Sequence, residues 1–415
     1  MRILVVGSGA REHALAWRLA MEADVVCAPG NPGIAEDVET TPVATADFAG
    51  LTALALDRRV DLVVVGPEDP LIAGLGDHLR TAGLTVFGPG ALGAQLEGSK
   101  VFSKELMVEA RIPTASHHSF AEPGPAKEFA RSLFDKCGGA VVKASGAALG
   151  KGAIVCDSLA EAQRTIDDLL VHRLLGDAGS EIVVEQRLKG PEFSLLTLVS
   201  GRHHWSLPVA QDFKRAFDGD QGGNTGGMGS FSPVGWVPRE MVELAERSVV
   251  EPLLCSLQNR GIDFRGVVFS GLLVDDGTPY CLEFNVRFGD PEIQSLVRRL
   301  GSGFASALTA CALGDPMPPV EVLPNAAVTV VVASGGYPDA PRKGFEIILP
   351  KKPTAKIFHA GTSVKDGKLV NSGGRVFSVT GIGASVEAAR DEAYRTAREI
   401  KFEGAFMRGD IALTG

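Results

Sequence analysis

Glu283-Phe284-Asn285-Val286-Arg287-Phe288-Gly289-Asp290-Pro291-Glu292 reads as a strand that runs into a glycine–proline turn, with charged side chains spaced along it. Side chains on a strand alternate between its faces, so Glu283, Asn285 and Arg287 share one face while Phe284 and Val286 point the other way. A carboxylate and an amide oxygen side by side suit Mg²⁺, which takes few protein oxygens and completes its shell with phosphate and water. Arg287, next on that face, would stabilise negative charge developing on a transferring phosphoryl group or a tetrahedral intermediate. Taken alone, the same spacing also describes the solvated face of an edge strand.

Upstream, the apolar runs 267 to 274 and 280 to 284 are joined by Asp275-Asp276-Gly277, a tight-turn signal that places this strand in an antiparallel pair. Earlier still, Gln211-Asp212-Phe213-Lys214-Arg215 and Asn224-Thr225-Gly226-Gly227-Met228-Gly229 flank a glycine-dense stretch. Loops of this composition are where substrates are held, although each by itself also fits a surface turn. Lys143-Ala144-Ser145-Gly146-Ala147-Ala148-Leu149-Gly150-Lys151-Gly152 is a glycine-rich loop after a strand. It departs from the Walker pattern, because three residues separate Gly146 from Gly150 and no Ser or Thr follows Lys151. Flexible glycines and two lysines fit a lid that closes backbone amides over polyphosphate; a plain glycine-rich hairpin is the alternative.

Residues 1 to 100 alternate strand-like runs (3 to 6, 25 to 28, 62 to 65, 85 to 87) with helical stretches (12 to 21, 71 to 82), most of the runs ending in Gly or Pro turns. That order predicts an open parallel α/β sheet with ligands beyond the carboxyl ends of its strands. Gly7-Ser8-Gly9, Pro29-Gly30-Asn31 and Gly66-Pro67-Glu68 all fall there. Gly7-Ser8-Gly9-Ala10-Arg11-Glu12 begins like a dinucleotide fingerprint, but Glu12 replaces its third glycine and no acid ends the second strand, which disfavours NAD. A glycine turn opening a helix still suits a phosphate. A helix over 101 to 110 stops at Ile112-Pro113. Strand-like runs at 140 to 143, 182 to 185 and 193 to 199 around a helix at 159 to 170 suggest a small α+β unit. After Pro316-Met317-Pro318-Pro319 the chain restarts with the run 326 to 333 and ends in a helix over 386 to 400.

The chain has 415 residues, enough for about three domains at ordinary domain size, and its 45% hydrophobic and 22% charged content is that of a globular protein. A net charge of −9 argues against general nucleic-acid binding. Six cysteines stand singly, without the paired spacing of a zinc or redox site, and read as reduced small hydrophobes. The first residues read as a strand rather than a signal peptide, and no apolar stretch approaches membrane-spanning length, so a cytoplasmic protein is expected.

Taken in order, 7–13, 28–33, 65–68, 96–100, 224–229 and 287–292 resemble, from end to end, the phosphoribosylamine–glycine ligase family of the ATP-grasp superfamily. Arg287-Phe288-Gly289-Asp290-Pro291-Glu292 is the most specific of these stretches and Gly7-Ser8-Gly9 the least. The resemblance implies a multidomain α/β and α+β fold: an N-terminal open parallel sheet (1–100), an ATP-grasp domain (101–315) with a small mobile lid (about 115–188), and a C-terminal mixed α/β domain (322–415). It implies a monomer that uses ATP and Mg²⁺, or Mn²⁺, to join glycine to 5-phosphoribosylamine, with neither nucleic acid nor membrane as partner.

By the same resemblance Lys100, Lys143, Gly146, Gly150, Lys151 and Gly152 would contact ATP phosphates. Glu185, Gln186 and Leu188 would form the adenine hinge, Glu192 would meet the ribose, and Glu283 and Asn285 would hold the metal. Asp212, Arg287 and Asp290 would handle glycine and the reacting centre. Gly9, Glu12, His13, Gly30, Asn31, Pro67 and Glu68 would line the ribose-phosphate side. Lys214, Arg215, Asn224, Thr225, Gly226, Gly227, Met228, Gly289, Pro291 and Glu292 would complete the substrate loops. His13 equally fits a packed helix histidine. The sequence departs from the family's pattern at Ser145, where Asp is usual, at Gln186 and Pro191, where Glu is usual, and at Phe213, where His is usual.

Overall fold

The computed structural model describes residues 1–146 and 152–413. The loop positions Gly150 and Lys151 lie outside the described residues.

The N-terminal sheet is parallel and five-stranded, in the order Glu39–Thr40, Asp24–Pro29, Arg2–Gly7, Leu62–Val65, Val86–Phe87. Its central strand is buried on both faces because it carries Ile3, Leu4, Val5 and Val6 in succession, the run a doubly covered strand requires. Ile3 and Val5 pack with the helix Ala10–Leu19 and, from much later in the chain, Ile293, Leu296 and Phe304. Leu4 and Val6 face the helices Phe48–Asp57 and Leu75–Thr81. The helical stretch expected over 71 to 82 is two helices, Glu68–Ile72 and Leu75–Thr81, because Gly74 between them takes a φ of +91°.

A second, four-stranded sheet is antiparallel in the order His203–Ser206, Glu192–Ser200, Arg265–Asp275, Thr278–Asn285. The hairpin read from Asp275-Asp276-Gly277 is present, and it sets Glu283 opposite Gly271 and Asn285 opposite Phe269. The run 193 to 199 belongs to this sheet rather than with the strands before it. Eight consecutive buried residues make Glu192–Ser200 an interior strand, flanked on both sides. The small α+β unit keeps four other strands, ordered His117–Phe120, Ile182–Gln186, Ala140–Ala144, Ala153–Cys156. The helices Pro123–Cys137 and Leu159–Leu170 complete its separate core around Val142, Ile166 and Val184.

The third sheet crosses large sequence distances. Its order is Gln211–Asp212, Gly229–Ser232, Ala326–Ala333, Arg375–Gly383, Lys356–His359, with the helix Val386–Ala397 packed against it. The loop that carries Asn224 to Met228 is therefore tied directly to C-terminal strands. Among the described residues, no helix is long and apolar enough to cross a membrane.

Candidate active site

Glu283 is the centre of a ring of lysines. Lys100 Nζ lies 3.4 Å from its Oε2, and burial, which pushes the carboxyl pKa up, is outweighed by Lys100, Lys214 and Lys143, which bring it down to about 2. Glu283 is thus a fixed negative charge, with the Asn285 amide on the same face of the strand. Among the described residues no cluster of three or more His, Cys, Asp or Glu is arranged as a metal cage. Two hard oxygens on one face fit a Mg²⁺ that completes its shell with phosphate and water, and the lysines suit the phosphate rather than the metal.

Beside this ring, Glu185 is buried between two lysines. Lys104 Nζ is 2.6 Å from Oε2, Lys143 Nζ pairs with Oε1, and Lys143 also donates to the Leu282 carbonyl at 3.0 Å. Burial would raise the Glu185 pKa, and the two lysines outweigh it. Lys104 was not among the sequence candidates. Its signal was its position four residues after Lys100 on one helix, which places both on the same face. Lys104, Glu109 and His117 also border a cavity of about 420 Å³ between the helix Lys100–Glu109 and the strand His117–Phe120. Gln186 donates its backbone N–H to Ser116 O (2.8 Å), Leu188 is half-buried, and Glu192 accepts from Lys214 Nζ at 2.6 Å. Gly146 N donates to Ala178 O (3.0 Å) and Gly152 O accepts from Ala144 N (2.7 Å).

On the N-terminal side, Glu68 Oε2 lies 3.4 Å from Arg11 and 3.3 Å from Arg287, whose Nη2 is 3.0 Å from Glu97. Burial raises the Glu68 pKa, but Arg287 and Arg11 bring it down to about 2; at Glu97 burial wins and the pKa is raised. Arg11 and Glu97 were missed as site residues, although both sit inside the quoted motifs 7–13 and 96–100. Glu12 turns its carboxylate back onto the helix start, where Oε2 accepts from Gly9 N at 2.6 Å and the chain fits against Gly7 and Gly66. The helix N-terminus that suited a phosphate thus already holds a carboxylate. Pro67 begins the helix Glu68–Ile72, and Gly30 N donates to Gly7 O at 3.1 Å with φ at +72°.

His13 and Asn31 face the C-terminal strand Lys356–His359 instead of Glu68. His13 Nδ1 accepts from the backbone N of His359 at 2.8 Å, and its Nε2 stands 2.9 Å from Asp37 Oδ2. Asn31 donates to Ser8 O (2.7 Å) and His359 O (2.9 Å) and accepts from the N–H groups of Gly33 and Ile34. Both side chains have their hydrogen-bonding groups occupied inside the protein.

The substrate loops converge from three parts of the chain. Burial raises the pKa of Asp212, partly offset by Lys214; burial and then Asp212 raise Glu292 to about 7, where Ser194 Oγ donates to its Oε1 at 3.2 Å. Asp290 accepts from Gln294 Nε2 (2.6 Å) on one oxygen and Arg375 Nη2 (2.9 Å) on the other. Thr225 Oγ1 donates to Lys214 O (2.8 Å) and accepts from Gly227 N (2.9 Å). Gly227, at φ +108°, packs against Pro291, while Gly289 leaves room for the Glu292 carboxylate. Met228 is fully buried, Arg215 Nη1 donates to Gly222 O at 2.8 Å, and Asn224 Nδ2 reaches Ala153 O at 3.0 Å, linking this loop to the small α+β unit.

Two departures from the family's pattern have local partners. Ser145 Oγ accepts from Val101 N at 3.3 Å, while Ser145 O accepts from Lys100 N at 2.8 Å, so it closes the start of the lysine-bearing helix. Phe213 packs beside Phe231 with ring centroids 6.2 Å apart, and the Arg408 guanidinium lies 5.1 Å from its ring.

Comparison with known proteins follows the same three-part division. The N domain of phosphoribosylglycinamide synthetase matches residues 1–97, its ATP-grasp (A) domain residues 98–293 and its C domain residues 327–414. The phosphoribosylamine–glycine ligase of Rhodopirellula baltica is 42% identical across 99% of this chain and 97% of its own length. That of Streptomyces coelicolor is 43% identical across 99% of both. The crystal structure of the Thermotoga maritima phosphoribosylamine–glycine ligase superposes with a TM-score of 0.88 at 37% identity, covering 99% of this chain and 100% of that one. A biotin carboxylase domain from Hydrogenobacter thermophilus, at 16% identity and a TM-score of 0.72, shares the fold. With all three domain models matched in order and relatives above 40% identical along nearly the whole chain, the chain belongs to the phosphoribosylglycinamide synthetase family.

Proposed function

We propose that this chain joins glycine to 5-phosphoribosylamine with ATP, giving glycinamide ribonucleotide, ADP and phosphate in purine biosynthesis. One observation carries the reading beyond family membership: a charged Glu283 lies amid Lys100, Lys143 and Lys214, with Asn285 on the same strand face and Arg287 just past the strand's end. That is a site for a metal-bound polyphosphate beside a second site for a carboxylate.

A carboxylate is a poor acyl donor. The glycine carboxylate oxygen attacks the γ-phosphorus of ATP, the bond to the bridging oxygen of ADP breaks, and glycyl phosphate forms. The amine of phosphoribosylamine then attacks the acyl carbon, phosphate leaves, and the nitrogen gives up a proton. Positioning and charge neutralisation do most of this work. Glu283 and Asn285 would hold Mg²⁺, or Mn²⁺ in its place, which when bound neutralises charge on the transferring phosphoryl group. Lys100 and Lys143, with Gly146, Gly150, Lys151 and Gly152, take the phosphates; the segment 185–188 takes the adenine, and Glu192 the ribose. Arg287 neutralises charge at the acyl centre, Asp212 faces the glycine amine, and Glu68 with the Gly9 turn lies toward the ribose phosphate.

In this reading residues 1–100 carry the phosphoribosylamine, 101–315 carry ATP under a lid of about 115–188, and 322–415 complete the cleft. The protein acts as a monomer on small molecules in the cytoplasm. The test is ADP release from the purified protein with Mg²⁺-ATP, glycine and freshly generated phosphoribosylamine, each omitted in turn. Release that needs both co-substrates is expected; release that is indifferent to glycine, or absent with all three present, overturns the reading.

A further inference from the structure

The loops 224–229 and 287–292 touch where Gly227 packs against Pro291, and a residue about 85 positions downstream of the second adds polar bridges between them. Arg375 begins the strand Arg375–Gly383. Its Nη1 donates to Gly226 O (2.6 Å) and Asp290 O (2.7 Å) and lies 3.3 Å from Gly227 O, while Nη2 donates to Asp290 Oδ2 at 2.9 Å. The guanidinium lies so close over Gly226 that a Cβ there would be 2.9 Å from Cζ. The Tyr337 hydroxyl accepts from Gly226 N at 3.2 Å on the same loop. Arg375 is itself fixed from behind, because Gly361 N donates to its carbonyl at 3.0 Å and Gly374 packs against the Tyr337 ring.

We propose that Arg375 is a positioning residue for the glycine half of the reaction. It sets the distance between the Gly226-Gly227 backbone and the Asp290 turn, and through that turn the placement of Arg287. The planar fork satisfies several acceptors at fixed angles, which an ammonium cannot do. None of its partners belongs to the lysine ring around Glu283, so the glycine side should depend on it and the ATP side should not. The proposal rests on the ligase reading above.

The test compares wild-type protein with Arg375→Ala and Arg375→Lys by steady-state kinetics and by amide hydrogen exchange over 225–229. Arg375→Ala is expected to lower kcat/KM for glycine on the order of 10–100-fold, the loss that misplacement of about 1 Å produces. The KM for ATP should stay within about twofold, the split that separates a lost positioning contact from general damage. Exchange over 225–229 should accelerate, exchange in the small α+β unit should not, millimolar guanidinium should restore part of the glycine-dependent rate, and Arg375→Lys should fall between. Equal losses for glycine and ATP, an unchanged glycine kcat/KM, or unchanged exchange in the loop overturns the proposal. Wild-type protein that releases no ADP in response to glycine brings down the ligase reading, and the proposal with it, whatever the exchange pattern.

Discussion

Lys104 Nζ and Glu185 Oε2 stand 2.6 Å apart with both side chains almost wholly buried. Glu185 also holds Lys143, so one carboxylate is shared by two cations from different elements, the helix Lys100–Glu109 and the strand Ala140–Ala144. Removing a partner from such a group leaves the rest desolvated without compensation. Glu185→Leu is therefore expected to cost about 3–5 kcal/mol, the usual range for breaking a buried pair, because two buried ammonium groups would then face each other. Lys104→Met, which leaves the Lys143–Glu185 pair intact, should cost less. Urea unfolding of the three proteins checks the order; a Glu185→Leu midpoint equal to wild type contradicts the arrangement.

Glu283→Gln keeps the shape of the side chain and removes its charge from among Lys100, Lys143 and Lys214. The expected result is a folded protein whose Mg²⁺-ATP turnover falls on the order of 10²-fold, a few kcal/mol of transition-state stabilisation. Raising Mg²⁺ or substituting Mn²⁺ should recover part of the rate. Near-normal turnover at ordinary Mg²⁺ would remove Glu283 from the metal-binding role.

How far the sequence reached is clearest when residues are compared in pairs. Glu283 and Asn285 could be placed on one face because strand periodicity and a tight turn are local signals, and the strand Thr278–Asn285 carries both; Arg287, expected to continue that face, lies past the strand's end, where Glu68 and Glu97 hold it. Arg287 and Glu97 are 190 positions apart, and nothing in either neighbourhood announces the 3.0 Å ion pair. Likewise, the two-residue strand Gln211–Asp212 is too short to show a period, so its membership in a sheet with the C-terminal strands was out of reach. His13 lies in a motif, yet its surroundings come from Phe358 and His359, which only the folded chain brings to it. Local chemistry was legible; the long-range partner of each charge was not.

Phe213 stands where the family's pattern has histidine, and its ring has the Arg408 guanidinium 5.1 Å away. Arg408 is buried and bonded to Asp410 and Asp220, so it cannot move aside freely. Phe213→His should lose the cation–π contact and much of the apolar packing against Phe231, a cost of about 1–2 kcal/mol. The introduced imidazole should stay neutral at pH 7, because a fixed cation beside it disfavours its charged form. Thermal unfolding together with NMR titration of the new histidine checks both; a stabilised variant, or a titration above pH 7, contradicts this account of the position.

His359 supplies a pH dependence with a definite sign. Burial first, then His13 and Lys356, bring its pKa from 6.5 down to about 3, and burial lowers His13 as well. The unfolded chain therefore takes up a proton below about pH 6.5 that folded His359 refuses until about pH 3. Its contribution to stability is complete above 6.5 and is lost as pH falls, by about 1.36 kcal/mol per pH unit, or about 2 kcal/mol at pH 5. Glu68 and Glu283, both held near 2, favour the folded state above their unfolded values and begin to lose that effect only below about pH 4.5. Glu292, raised to about 7, works the other way between 7 and 4.5, because its folded form gains the proton first. The wild-type slope is thus a sum of opposing parts, and a difference measurement isolates His359. The stability gap between wild type and His359→Asn should shrink by about 2 kcal/mol between pH 7 and pH 5, since only the wild type carries the refused proton. Urea titrations at both pH values measure it. A gap that stays constant would mean that His359 accepts its proton in the folded state, and that its burial against the helix Ala10–Leu19 is looser than the contacts with His13 and Thr362 imply.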